Sequence, residues 1–309
     1  MKFLVVLICI TANYFWKHDL DRFDDSWFFN LRNWLENRSA GLVDRYDNGW
    51  LATMVLVFLV PLIFLGIVLW LVDGLVFDLL TIGIHIMVLL FAIDRTHPGM
   101  LAQNYLDRWR EGDFEACFLY LNEHLSGQDL HSTTDPRTLH LNFERLYTYR
   151  CFERMFVMIF WYVVAGPISV VFVYICYQYR DGKNENANQT SEQVNNLLLL
   201  ILEWLPLRLL GLTFCLVGDF ESCFGKYRTM FFSNQRPTDE AVHELATAAL
   251  GLNTGQSILG AVQAGGAEKP EAFRDLAALE IDALQALLER SQIIWLCFLA
   301  VAAVFGLGV

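Results

Sequence analysis

The chain has 309 residues, of which 55% are hydrophobic and 18% are charged, and its mean hydropathy is +0.37. Soluble proteins carry about 25% charged residues, so this composition excludes an ordinary soluble enzyme and indicates an integral membrane protein with polar segments. The formal net charge of −12 argues against a nucleic-acid partner, because phosphate binding requires a basic surface. The seven cysteines form no CxxC pair, and neither a disulfide framework nor a metal site is predicted.

The N-terminal region, residues 1–50, opens with an apolar stretch over Met1–Trp16 that resembles the core of a signal peptide. No small-x-small cleavage site follows it, and the next residues alternate between aromatic and charged types. We therefore predict a retained apolar or interfacial helical segment here.

Five long apolar stretches follow and predict membrane-spanning helices, since a bilayer core of about 30 Å needs roughly 20 helical residues. Residues 51–93 predict a transmembrane hairpin, 155–217 predict the third and fourth spans, and 291–309 predict a C-terminal span. Within them, Leu197–Val217 is the ambiguous stretch, because it contains two charged residues and a proline. The predicted fold is all-α and polytopic, with about five spans that contact the lipid bilayer.

Lysine and arginine residues predict the orientation of these spans. Segment 17–50 holds five, 94–154 holds seven and 218–290 holds six. The positive-inside rule places all three segments in the cytoplasm, which requires Leu197–Val217 to cross the membrane. The segments 94–154 and 218–290 are thus predicted to be cytoplasmic and helical.

Helical periodicity within the cytoplasmic segments supports this. Apolar residues recur at helical spacing over Tyr105–Trp109 and Phe114–Leu125, and Glu111–Asp113 joins the two stretches, which predicts a short helical hairpin. Leu276–Arg290 predicts a helix that continues into the last span.

Arg208 is the most costly residue of the predicted spans, because a buried charge in the bilayer costs about 2.5–3.5 kcal/mol. It follows Pro206, which leaves the carbonyl of Leu202 without its helical donor. Two interpretations remain open: an ion pair with Glu203 or Glu153 that holds helices together, or a site for an anionic head group or phosphate.

Other polar or helix-breaking residues of the membrane segments are interpreted as structural: Asp78, His85, Gly166, Pro167 and Pro206. No second histidine or acid lies at ligand spacing from His85, so it is expected to form a hydrogen bond rather than bind a metal. At the mouth of the third span, Arg150, Glu153 and Arg154 fit either a lipid head-group anchor or the entrance of a ligand site.

Three stretches carry a family resemblance: Tyr105–Asp113, Glu153–Tyr174 with Phe160-Trp161, and Glu203–Arg208. In this order, and with an apolar C-terminal helix, the chain resembles the AmpE family of bacterial inner-membrane proteins. The resemblance implies a multi-pass protein of the inner membrane with a non-enzymatic, regulatory role in β-lactamase induction. It also implies a cytoplasmic partner in the pathway of AmpD, the amidase that trims cell-wall recycling fragments, or a cell-wall-derived ligand. No cofactor is predicted.

The AmpE family is in turn similar to the adenosylcobinamide-phosphate synthases, which are membrane proteins of cobalamin biosynthesis. Phe160-Trp161 and Pro206–Arg208 match that family, and Glu153 matches one of its acids, but Cys176–Asp181 departs from its polar Asn-Thr-Leu-Asp stretch. The scaffold is therefore expected to be kept and the ligase chemistry lost. The alternatives are a membrane-bound ATP-dependent amide synthase-like enzyme and a binder of an anionic amphiphile. The candidate ligand-binding residues are Arg150, Glu153, Arg154, Trp161, Glu203 and Arg208.

Overall fold

The computed structural model describes residues 2–15, 26–43, 49–72, 79–93, 98–125, 135–182, 189–231, 237–251 and 270–306. These residues form helices and contain no strand, which confirms the all-α prediction. In chain order the helices are α1 (Lys2–Phe15), α2 (Ser26–Val43), α3 (Gly49–Val72), α4 (Leu79–Ile93), α5 (Pro98–Glu111), α6 (Phe114–His124), α7 (Pro136–Cys151), α8 (Met158–Ala165), α9 (Pro167–Asp181), α10 (Gln189–Val217), α11 (Phe220–Phe231), α12 (Thr238–Ala249) and α13 (Pro270–Val304).

Within the described ranges, three helices contain stretches long and apolar enough to cross a membrane: Trp50–Val72 in α3, Thr190–Val217 in α10 and Asp275–Val304 in α13. Shorter apolar helices lie at Lys2–Asn13 and Leu79–Ile93. These helices agree with a membrane protein. The count of about five spans, the inner-membrane location and the division into membrane and cytoplasmic segments stay predictions.

The chain divides into two compact units. The first unit contains Met1–Thr96, Val157–Leu202 and Val309, and the second contains His97–Phe156 and Glu203–Gly308. In the first unit, α4 packs against α1, α8 and α9, and α3 packs against α2 and α9. In the second, α7 packs against α5, α6, α12 and α13, and α12 also contacts α11.

The predicted third span is broken within the first unit. Gly166 has a φ of +81°, a conformation that side chains rarely tolerate, and it separates α8 from α9. Pro167 begins α9 and lacks the N–H that would otherwise bind the carbonyl of Val163. The ammonium group of Lys2 donates to this carbonyl over 2.8 Å, so the chain start supplies the missing hydrogen bond.

Trp161 donates a hydrogen bond to a second carbonyl that a proline leaves without its helical donor. Because Pro206 has no N–H, the carbonyl of Leu202 is left without a donor inside α10. The indole Nε1 of Trp161 donates to that carbonyl over 3.0 Å. A buried unsatisfied carbonyl is costly, so this bond lets a proline occupy the interior of a long apolar helix.

His85 lies on α4, and its Nδ1 is 3.0 Å from the hydroxyl of Tyr162. This contact is the kind of hydrogen bond expected for a lone histidine in an apolar helix. Asp78 lies outside the described residues.

The predicted helical hairpin of the second unit is confirmed. Helices α5 and α6 are joined by Gly112, which has a φ of +78°, and by Asp113. The Asp113 carboxylate accepts a hydrogen bond from the N–H of Ala116 over 2.9 Å and so caps α6. Beneath this hairpin, Tyr105 stacks on Phe143 with ring centroids 3.7 Å apart.

Candidate functional site

Two of the three residues at the predicted mouth of the third span, Glu153 and Arg154, lie in an irregular turn of helix. Helix α7 ends at Cys151, and the six residues Phe152–Val157 form a π-helix before α8 begins. Helical periodicity does not reveal this turn, because the inserted residue of a π-turn leaves no periodic signal over such a short stretch. Glu153 and Arg154 lie in this turn, and π-helical turns are frequent at functional sites.

Glu153 is a buried acid with a defined partner. Its residue is only 1% exposed, and its Oε2 lies 3.2 Å from Nη1 of Arg150. The arginine is itself mostly buried, so the pair is shielded from water and from screening by salt. A buried charge of this kind persists only with a partner, which Arg150 supplies.

Glu203 is the second buried acid of the predicted set. It is 3% exposed, and its Oε1 accepts a hydrogen bond from the hydroxyl of Tyr149 over 2.8 Å. This bond connects α7 to α10 within the second unit. Two consecutive residues of α7 thus each bind one of the two acids: Tyr149 binds Glu203, and Arg150 binds Glu153.

Arg208 makes contacts that differ from the predicted ion pair with Glu203 or Glu153. Its Nη1 donates to the carbonyl of Trp204 and its Nη2 to the carbonyl of Phe231, both over 3.0 Å. The guanidinium also lies 4.0 Å from the centre of the Trp204 ring, which is a cation–π distance. These partners orient the arginine but leave its positive charge without a counter-charge from an acid of the described residues.

The six predicted ligand residues are distributed over both units. Trp161 belongs to the first unit, where it binds the freed carbonyl of Leu202. The other five belong to the second unit: Arg150, Glu153, Arg154, Glu203 and Arg208.

The structure also brings together a buried cluster that sequence reasoning missed. Nε2 of His140 on α7 lies 3.3 Å from Oε1 of Glu144 and 3.5 Å from Oε2 of Glu280 on α13. The three residues are at most 4% exposed. Burial opposes a charge on His140, but the two adjacent carboxylates, Glu144 and Glu280, outweigh it and raise its pKa to about 9.

Two of the three residues of this cluster had a signal in the sequence. His140 and Glu144 are four residues apart, which places them on one face of a helix, but such pairs are common on solvated faces. Glu280 comes from a different helix far along the chain, and nothing in the sequence reports that both acids are buried.

Two aromatic side chains pack against the cluster. Trp109 packs against the His140 ring with centroids 5.1 Å apart, and Tyr105 stacks near it at 6.3 Å. Burial, together with the negative potential of Cys117 and Glu144, raises the pKa of the Tyr105 phenol well above its ordinary value, so the phenol stays neutral.

Comparison with known proteins identifies one family. The sequence model described as "Regulatory signalling modulator protein AmpE" matches residues 3–256, which is most of the chain. No curated protein and no solved structure matches the chain.

Proposed function

The chain belongs to the AmpE family of regulatory signalling modulators, and from that membership we propose that it modulates β-lactamase induction in response to cell-wall recycling. In this proposal it acts in the bacterial inner membrane, without catalysis of its own. The second unit is the part that contacts a cytoplasmic partner of the AmpD pathway or a cell-wall-derived ligand.

The match over residues 3–256 is the observation that carries this proposal. The geometry of the second unit supports a non-enzymatic role. Glu153 is engaged by Arg150, and Glu203 by the Tyr149 hydroxyl. Acids held by such partners are suited to positioning helices, whereas general acid–base catalysis needs a group within reach of a substrate proton.

A deletion strain tests the regulatory role. Removing the gene is expected to change the β-lactamase activity reached after exposure to a β-lactam inducer, and re-expression of the intact chain is expected to restore it. β-Lactamase activity per cell, before and after induction, is the measurement.

A matched pair of variants sharpens this experiment. Glu203→Leu removes the acceptor of the Tyr149 hydroxyl and is expected to fail to restore regulation, whereas Leu119→Ala changes a 59% exposed side chain and is expected to restore it. Equal induction in the parent, deletion and complemented strains for every inducer tried would refute the proposed function.

Arg208 favours a second candidate function, the binding of an anionic amphiphile. Its Nε is buried without a hydrogen-bond partner, and the two hydrogen bonds of its Nη atoms are to neutral carbonyls. Trp204 beside it is 40% exposed, on a helix apolar enough to cross a membrane. A fixed cation next to an exposed aromatic ring in such a helix suits a lipid head group above an acyl chain.

Arg208→Gln tests this candidate. Phosphatidylglycerol retained by the protein in mild detergent is expected to fall at least about tenfold relative to phosphatidylethanolamine, equivalent to about 1.4 kcal/mol. Native mass spectrometry of both proteins in an equal mixture of the two lipids gives the ratio. Arg228→Gln, which neutralises an exposed arginine of the same unit, is the matched control and is expected to leave the ratio unchanged. Equal ratios for wild type and Arg208→Gln would exclude this site.

A further inference from the structure

We propose that His140, Glu144 and Glu280 bind a single divalent transition-metal ion, with Zn²⁺ the best match, and that this ion cross-links α7 to α13. The three residues each offer a ligand atom, and these atoms all lie within 4.8 Å of one another. This inference concerns a site separate from the regulatory role and goes beyond it.

The spacing of the donor atoms supports a metal rather than direct hydrogen bonds. Ligand atoms about 2.1 Å from a tetrahedral Zn²⁺ lie about 3.4 Å from one another. The observed separations from Nε2 of His140 are 3.3 Å to Glu144 and 3.5 Å to Glu280. Charge-assisted N–H···O bonds are shorter, about 2.7–2.9 Å, so both separations are wider than an optimal charge-assisted hydrogen bond and close to the distance between two ligands of one ion.

His140 provides an independent indication of a ligand. Its side chain is 0% exposed, and both of its ring nitrogens are buried without a hydrogen bond of good geometry. A buried imidazole ordinarily has a partner for at least one nitrogen. Here Nε2 is directed between the two carboxylates, which is the position from which it would coordinate an ion held by both of them.

The charges and donor types match a divalent transition metal. Two carboxylates and a neutral imidazole carry a charge of −2, which a divalent ion neutralises. Imidazole favours Zn²⁺, Fe²⁺ and Ni²⁺ over Mg²⁺ and Ca²⁺, and the absence of a thiolate ligand argues against Cu⁺. The side chains of Glu144 and Glu280 are only 5% and 2% exposed, so the site is closed to solvent, and its three side-chain ligands leave one position of a tetrahedral ion for a further ligand such as water.

The position of the cluster in the fold defines what the ion would do. His140 and Glu144 lie four residues apart on α7, whereas Glu280 lies on α13, and the two helices pack against each other. A metal bound by all three would tie the cytoplasmic part of the chain to its last apolar helix, which is the kind of staple that makes metal binding contribute directly to stability.

Metal analysis of the full-length protein in mild detergent tests the inference. Protein stripped with EDTA and then titrated with Zn²⁺ alone is expected to bind about one ion per chain. Glu280→Gln and His140→Asn are each expected to weaken binding by at least about 100-fold, because each removes a direct ligand. Glu289→Gln is the matched control on the same helix, since Glu289 is exposed, and it is expected to bind Zn²⁺ like the wild type.

A second readout does not depend on the variants folding. Co²⁺ in place of Zn²⁺ is expected to give the intense visible absorption of a four-coordinate site in the wild-type protein, and Zn²⁺ is expected to raise its melting temperature. Stoichiometric binding that Glu280→Gln abolishes, together with that spectrum, would establish the site. Equal Zn²⁺ binding by wild type and both ligand variants, or a wild type that binds none and gains no stability, would overturn it and leave an ion-paired triad.

Discussion

Replacing Trp109 by alanine is expected to lower the free energy of unfolding by about 3–5 kcal/mol, because a fully buried indole is lost and the cavity collapses only in part. Trp109 is 0% exposed, stacks on Tyr105 and meets Phe114 edge to face with centroids 5.1 Å apart. It also packs against His140, so its loss removes one wall of the proposed metal site. Thermal unfolding in mild detergent, followed by a thiol-reactive dye, measures the change.

The dye is suited to this chain because six of the seven cysteines are buried and become reactive only on unfolding. Leu119→Ala, on the adjacent helix α6, serves as the control, since the leucine is 59% exposed and its truncation is expected to change stability by no more than about 0.5 kcal/mol. Equal melting temperatures for Trp109→Ala and Leu119→Ala would show that the aromatic core of the second unit is not packed as described.

Gly218→Ala is expected to destabilise the protein by about 2–3 kcal/mol through overpacking. Gly218 lies in the turn between α10 and α11, directly against the last residue of α12. A methyl group there would collide with the carbonyl oxygen of Ala249 and lie 2.8 Å from its carbonyl carbon, and backbone atoms yield less readily than a side chain. The shift would also strain the hydrogen bond from the N–H of Asp219 to Ala249, which is 2.7 Å long.

Gly225→Ala, in α11, is expected to change the stability in the opposite direction. Gly225 lies inside α11, and a methyl group there would meet no atom within 4 Å. Alanine is therefore expected to stabilise the helix by up to about 1 kcal/mol, since it loses less backbone entropy than glycine on folding. The same dye assay compares the two variants, and a stability loss at Gly225 equal to that at Gly218 would contradict the close approach of α12.

The proposed metal site and the family assignment address different properties of the chain. The family match predicts a change in β-lactamase induction, whereas the cluster predicts one bound ion per chain. A strain expressing Glu280→Gln connects them: retained regulation would assign the ion to stability alone, and lost regulation with intact expression would assign it to signalling as well.

Much of the architecture was determined by the sequence. Long apolar stretches predict helices because the backbone must satisfy its own hydrogen bonds in lipid, and α3, α10 and α13 follow those stretches closely. The hairpin of α5 and α6 was also predicted, since its signals are local: helical periodicity on each side of Glu111–Asp113. Gly166 and Pro167 were interpreted only as structural residues of the third span, and the break between α8 and α9 at this pair emerged from the structure.

Only the tertiary structure showed which groups supply the hydrogen bonds that prolines and buried charges lack within their own helices. The sequence shows that Pro206 deprives the Leu202 carbonyl of its helical donor, but only the hydrogen bond seen in the structure identifies Trp161 as the replacement. Likewise, the partners of Arg208 are backbone carbonyls from its own helix and from α11, rather than the nearby acids that the sequence suggested. The convergence of His140 and Glu144 with Glu280 was equally invisible, because sequence patterns report which face of a helix a residue occupies, and contacts between helices distant in the chain depend on how those faces dock.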